Sequence, residues 1–135
     1  LTIEQLLKLQ RKAYTEVFVD PALIEYAIQL VTATRKPQEF GLKDLQHYIL
    51  FGASPRASIN LILTARALAF VRGRSYALPQ DVLDMALDVL RHRVVPSYEA
   101  LSDNVSSDDL LNKIMERIPP PVVPLHERKK NREIA

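Results

Sequence analysis

The 135-residue chain has no cysteine, no tryptophan and only three glycines. Without cysteine there is no disulfide framework, no thiol nucleophile and no thiolate metal site. Gly41, Gly52 and Gly73 are widely spaced, so a glycine-rich phosphate loop is excluded. No apolar run approaches the ~20 residues that a membrane-spanning helix needs, and no secretory leader is visible. The expected setting is cytoplasmic, without membrane insertion. His47, His92 and His126 lie far apart and lack the spacing of metal ligands. What is present is ordinary for a globular chain: 47% hydrophobic and 25% charged residues, in a length that fits one domain with a real core. Residue 1 is Leu rather than Met, so the chain reads as a piece of a longer protein.

The net charge is only +2, and its distribution matters more than its total. Beyond Ile118 stand four basic residues (Arg128, Lys129, Lys130, Arg132) and two acids (Glu127, Glu133), so the whole excess sits there and the body is neutral. Within that neutral body, no acid occurs from Leu45 to Gln80, while Arg56, Arg66, Arg72 and Arg74 fall in the same stretch. Glu99, Asp103, Asp108 and Asp109 form the opposite, acidic stretch. An anion site in this chain is therefore expected between residues 45 and 80.

The pattern is helical throughout and predicts an all-α bundle. Thr2 with Gln5 makes a capping-box pair for a first helix carrying Ile3, Leu6, Leu7, Ala13 and Tyr14. Asp20-Pro21 starts a second, with Leu23, Ile24, Ala27, Ile28 and Val31 on its apolar face, ending at Arg35 and Lys36 before Pro37. Residues 38–52 allow a short helix. Ser54-Pro55 starts a third, whose body from Ala57 to Val71 is apolar on nearly every face and so is expected to be buried by its neighbours, with Gly73 as its left-handed cap. Pro79 opens a fourth with Asp81 in its first turn. A loop with Pro96 and Ser97 follows, and Ser106 or Ser107 caps a last helix carrying Leu110, Leu111, Ile114, Met115 and Ile118. Val17–Val19 and Ser75–Leu78 read as extended and predict one very short strand pairing. Pro119-Pro120-Pro121 ends the domain, giving a helical unit over residues 1–121 and a basic, disordered tail over 122–135.

Few side chains stand out chemically. Asp81, Asp84 and Asp88 share a helical face, as metal ligands can, but a solvated polar face explains them more simply. His92 between Arg91 and Arg93 reads as a basic helix end that suits the dipole, rather than as a phosphate contact. Arg56 is different. It occupies the first turn of a helix, where the backbone already presents positive charge and a cation is misplaced. No acid in that helix relieves it, and local rule-breaking of this kind is expected at functional sites. Two readings follow. Either the N–H groups of Ala57 and Ser58, the Ser54 hydroxyl and the Arg56 guanidinium together hold a phosphate, or Arg56 pairs with an acid elsewhere in the fold.

The run Gly52-Ala53-Ser54-Pro55-Arg56-Ala57 resembles the sensor-two motif of MoxR-type AAA+ ATPases. Ala33-Thr34-Arg35, Gly73-Arg74-x-Tyr76, Pro79-x-Asp81-Val82, Leu90-Arg91-His92-Arg93 and the close from Val105-Ser106 to Ile118-Pro119 resemble the same family in the same order. One departure is Leu78, where such lids often carry a capping Thr; its loss weakens that helix start by about 1 kcal/mol. The resemblance implies an AAA+ C-terminal helical lid over residues 1–121, packed beside a nucleotide-binding core. It implies that Arg56 meets the γ-phosphate of ATP as the sensor-two residue, with Ser54 a weaker contributor as helix cap. It places ATP and Mg²⁺ in the parent protein, with none bound by this fragment alone and no catalytic residue within it. It also implies a hexameric ring of neighbouring subunits and an unknown client protein that is remodelled or matured. The alternative is a helical nucleic-acid- or protein-binding module with no nucleotide role. Nucleic acid fits poorly, since four arginines that fall mostly within a buried helix, with no interleaved lysine, make no binding face.

Overall fold

Local capping chemistry sets most of the helix starts. In the computed structural model, which describes residues 1–122, Thr2 and Gln5 exchange hydrogen bonds to open α1 (Ile3–Glu16). Asp20 Oδ1 accepts the Ala22 N–H at 2.8 Å to open α2 (Pro21–Arg35). Two 3₁₀ turns follow, Pro37–Phe40 and Lys43–Leu45, and then β1 (Ile49–Phe51). The remaining elements are α3 (Arg56–Val71), α4 (Pro79–Leu90), β2 (Val95–Pro96), α5 (Tyr98–Ser102) and α6 (Ser107–Arg117). Ser106 caps α6 and Asp109 reciprocates, its Oδ2 accepting the Ser106 N–H at 2.9 Å.

α3 is the central element, packed against α4, α2 and α1. Its buried stripe is Ala57, Leu61, Ala65 and Ala69, spaced by four residues. Three alanines in that stripe let the neighbouring helices approach closely, and Leu61 supplies the bulk. Around it the core gathers Tyr26, Leu30 and Val31 from α2, Val82, Ala86 and Leu90 from α4, and Leu110, Leu111 and Ile114 from α6. Tyr26 also donates its hydroxyl to the Ile118 carbonyl at 3.2 Å, tying α2 to the end of α6. A smaller cluster of Val17, Val19, Leu23, Ala69 and Ala77 seals the junction of α1, α2 and the segment before α4.

The helical bundle is as the periodicity predicts, and several details differ. α3 is not buried all round: Ile59 is 61% and Val71 81% exposed. With apolar residues on every face, the hydrophobic pattern does not choose a side, and close packing through alanine does. Ile24 and Ile28 of α2 likewise face outward, while Tyr26 and Leu30 are inside. The pairing of residues 17–19 with 75–78 is a single parallel bridge, Phe18 with Tyr76, in which Phe18 N–H donates to Ser75 O and Ala77 N–H to Phe18 O, each at 2.9 Å. The two-stranded sheet lies elsewhere, β1 antiparallel to β2 with Ile49 opposite Pro96. The short helix allowed over residues 38–52 is realised as two 3₁₀ turns followed by a strand rather than as one α-helix, and the loop at Ser97 caps the short α5. The basic tail lies outside the described residues apart from Val122, as does His126. No helix among the described residues is long and apolar enough to cross a membrane.

Candidate functional site

The four arginines of the acid-free window separate into two kinds. Three are bound within the fold. Arg66 donates to the Tyr14 carbonyl at 2.6 Å and lies over the Tyr14 ring. Arg72 reaches Asp81 at 2.9 Å and Asp84 at 2.8 Å, and Arg74 holds both carboxylate oxygens of Asp81. Arg56 is the exception. It is exposed in the first turn of α3, and its guanidinium has neither ion pair nor hydrogen bond among the described residues. The pairing with an acid elsewhere in the fold, open from sequence alone, is therefore absent within these residues.

What holds Arg56 in place is a clasp between two segments far apart in sequence. Thr34 at the end of α2 is fully buried. Its hydroxyl donates to the Val31 carbonyl at 2.6 Å and accepts the buried Ala53 N–H at 2.9 Å. Gly52 lies directly on the Thr34 backbone, where any Cβ would collide with the Thr34 carbonyl. The sequence runs 33–35 and 52–57 are thus two halves of one joint. Thr34→Val keeps the shape but removes the acceptor for a buried N–H, so it is expected to cost about 1–2 kcal/mol of stability. Urea denaturation of the 135-residue chain measures this, and an unchanged midpoint would show that the clasp contributes nothing.

The backbone donors expected at the start of α3 are already used. Ala57 N–H donates to Ser54 O at 2.8 Å and Ser58 N–H to Pro55 O at 3.2 Å. Ser54 Oγ accepts the Arg56 N–H at 3.3 Å, and the Ser58 hydroxyl donates to Pro55 O. The phosphate cradle foreseen from the N–H groups of Ala57 and Ser58 is corrected on this point, because the Ser54–Pro55 turn folds back and satisfies them. The groups left to meet an anion are the Arg56 guanidinium and the hydrogen of the Ser54 hydroxyl.

The other candidates are structural. Asp81 is not part of a solvated face but is 0% exposed. Gly73, in the left-handed conformation at φ 74°, turns the chain at the end of α3 so that Arg74 N–H reaches back to Ala69 O, and this places Arg74 over Asp81. Asp81 Oδ2 also accepts the Leu78 N–H at 2.7 Å, supplying half of a capping box where Leu78 itself has no polar side chain. Burial pushes the Asp81 pKa up, but the Arg74 hydrogen bonds, the Leu78 N–H and Arg72 more than offset it and leave it below the usual value. The sequence signal for this was available: two arginines just before a helix whose third residue is Asp and whose cap is apolar. Around His92, Arg91 is held bidentately by Asp108 and Arg93 bonds the Val89 carbonyl, so both flanking cations are engaged. No group of His, Asp and Glu side chains among the described residues could hold a metal ion.

Comparison with known proteins agrees with this architecture. The family model for the AAA lid domain matches residues 42–114. Chaperone MoxR1 of Mycobacterium tuberculosis is 46% identical over 123 residues, covering 91% of this chain and 32% of that protein. Protein MoxR of Paracoccus denitrificans is 40% identical over 85 residues, covering 58% of this chain and 25% of that protein. A crystal structure from Cytophaga hutchinsonii, provisionally described as an ATPase, superposes with a TM-score of 0.78 at 39% identity, covering 83% of this chain and 34% of that one. The chain spans about a third of the length of the MoxR1 relative. It belongs to the AAA lid domain family and is a lid domain of the MoxR type.

Proposed function

We propose that this chain is the lid of a longer MoxR-type AAA+ ATPase and that Arg56 is its sensor-two residue, reporting the state of bound ATP to the bundle. One observation carries the reading. Of the four arginines in the acid-free window, Arg56 alone is without a partner among the described residues, and the Thr34–Ala53 clasp fixes the turn that presents it. A guanidinium directed at the γ-phosphate stabilises charge that develops during phosphoryl transfer. Because the clasp joins the end of α2 to the start of α3, a phosphate that draws on Arg56 pulls on the two longest helices at once. That is how nucleotide state would move the lid.

In this reading ATP and Mg²⁺ are held chiefly by the nucleotide-binding core of the parent protein. The chain's own contribution is the arginine and the rigid body behind it. The assembly is a ring of like subunits, hexameric as in the AAA+ resemblance, and its cytoplasmic work is chaperone-like remodelling or maturation of a client protein. Nucleic-acid binding is not favoured, because three of the four arginines that would form its face are engaged within the fold.

The test is Arg56→Ala in the full-length protein. Losing one charge-assisted hydrogen bond in the transition state is expected to lower ATP turnover by roughly ten-fold. The melting temperature of the isolated lid should be unchanged, since the Arg56 guanidinium has no ion pair or hydrogen bond among the described residues. Wild-type turnover in the variant would overturn the reading.

A further inference from the structure

The joint that presents Arg56 presents a second unneutralised cation. Arg35 is the last residue of α2, immediately after the clasping Thr34. It is exposed and, like Arg56, has no ion pair or hydrogen bond among the described residues. The acid nearest in sequence, Glu39, is turned to Lys36 at 3.4 Å. Arg35 lines a shallow depression of about 240 Å³ together with Pro55 and Ser58 from the turn that carries Arg56. The remaining lining is Ile28, Val31 and Thr32, so no carboxylate of the described residues enters it. A Cβ added at Gly52 would meet the Arg35 backbone nitrogen as well as Thr34, so the segments that carry the two arginines are packed backbone to backbone.

Arg35 and Arg56 stand on the two halves of one joint, and no carboxylate among the described residues pairs with either. The simplest reading of Arg35, a cation at a helix C-terminus, accounts for its sign. It does not account for the acid-free depression shared with the Arg56 turn. We infer that Arg35 is a second phosphate-binding residue, which contacts the polyphosphate of the same nucleotide as Arg56. This rests on the sensor-two reading of Arg56. The joint would then grip a highly charged anion with two forked donors, each able to bond two oxygens. The lid would distinguish a nucleotide by its phosphate charge as well as by the position of its terminal phosphate.

The experiment uses the full-length protein and measures equilibrium binding of a slowly hydrolysed ATP analogue to wild type, Arg35→Ala, Arg35→Lys and Arg56→Ala, with thermal melts of each. Arg35→Ala is expected to weaken analogue binding roughly ten-fold or more without lowering the melting temperature. Arg35→Lys should fall between, because it keeps the charge and loses the fork. Weakened binding in Arg56→Ala with wild-type binding in Arg35→Ala would overturn this inference and leave the sensor-two reading standing; it would mean that Arg35 meets a carboxylate of another domain instead. Unchanged binding and turnover in both alanine variants would overturn the sensor-two reading itself and this inference with it. A clear fall in melting temperature for Arg35→Ala would make it a structural cation of α2 and also overturn the inference.

Discussion

Asp81→Asn is expected to lower the stability of the chain by about 3–5 kcal/mol, the usual cost of removing one partner from a buried ion pair. The Asp81 side chain is completely buried, Arg74 is 21% exposed and Arg72 42% exposed. The carboxylate accepts from Arg74, Arg72 and the Leu78 N–H at once. An amide offers one acceptor oxygen in place of two and turns an NH₂ group towards donors. Arg74 is then left half-buried without its counter-charge, and α4 loses what secures its first turn. The contrast is with the exposed pairs. Lys36–Glu39 and Arg91–Asp88 are open to solvent and a few residues apart on the chain, so severing either should change stability by less than about 1 kcal/mol.

The same site contributes to the acid limb of the stability curve. The pKa of Asp81 lies below that of an unfolded aspartate, and so does that of Asp84, which the Gln80 amide and Arg72 hold down. Depressed carboxylates contribute stability that is complete above the unfolded value, about 4. That contribution is lost as the pH falls through the folded one. Wild-type stability should therefore decline below about pH 4, and Asp81→Asn should show a flatter decline from a lower start. Urea denaturation from pH 7 to pH 3 measures both quantities. Parallel acid limbs in the two proteins would mean that Asp81 carries no linked proton.

How much of this was legible beforehand follows from where each feature gets its energy. α1, α2, α4 and α6 announce themselves because their starts are local chemistry: Thr2 with Gln5, Asp20 with Pro21, Pro79 with Asp81, Ser106 with Asp109. β1, β2 and α5 are two to five residues long and have no period to detect. They exist because the fold brings residues 49–51 beside 95–96. The buried face of α3 was hidden for the opposite reason, apolar residues on all sides. Asp81, Asp84 and Asp88 share one periodicity but not one environment, since burial depends on Arg72 and Arg74 arriving from the preceding turn. At the site, the misplaced charge of Arg56 was visible in six residues. The support beneath it was not, because Thr34 and Ala53 are nineteen positions apart.

Gly52→Ala is expected to damage fold and site together, by about 3 kcal/mol in stability, the upper end for forcing a methyl group into a packed interior. The new Cβ would collide with the Thr34 carbonyl oxygen and come within 2.7 Å of the Arg35 nitrogen. Both are main-chain atoms at the end of a helix, so no rotamer change relieves the contact and one of the two segments has to move. Moving the 52–55 turn stretches the Thr34–Ala53 hydrogen bond and carries Arg56 away from the corner it shares with Arg35. Gly73→Ala makes the useful comparison. An added Cβ there meets open space, but the residue stands at φ 74°, so its cost is conformational, about 1–2 kcal/mol. It also falls far from Arg56. In the full-length protein Gly52→Ala should therefore lower ATP turnover as well as stability, whereas Gly73→Ala should lower stability alone. Shortening the Thr34 side chain in the same molecule, as Thr34→Ser, should not rescue Gly52→Ala, because the obstruction is the backbone. Recovery in that double variant would show that the side chain, and not the main chain of α2, sets the distance between the two halves of the joint.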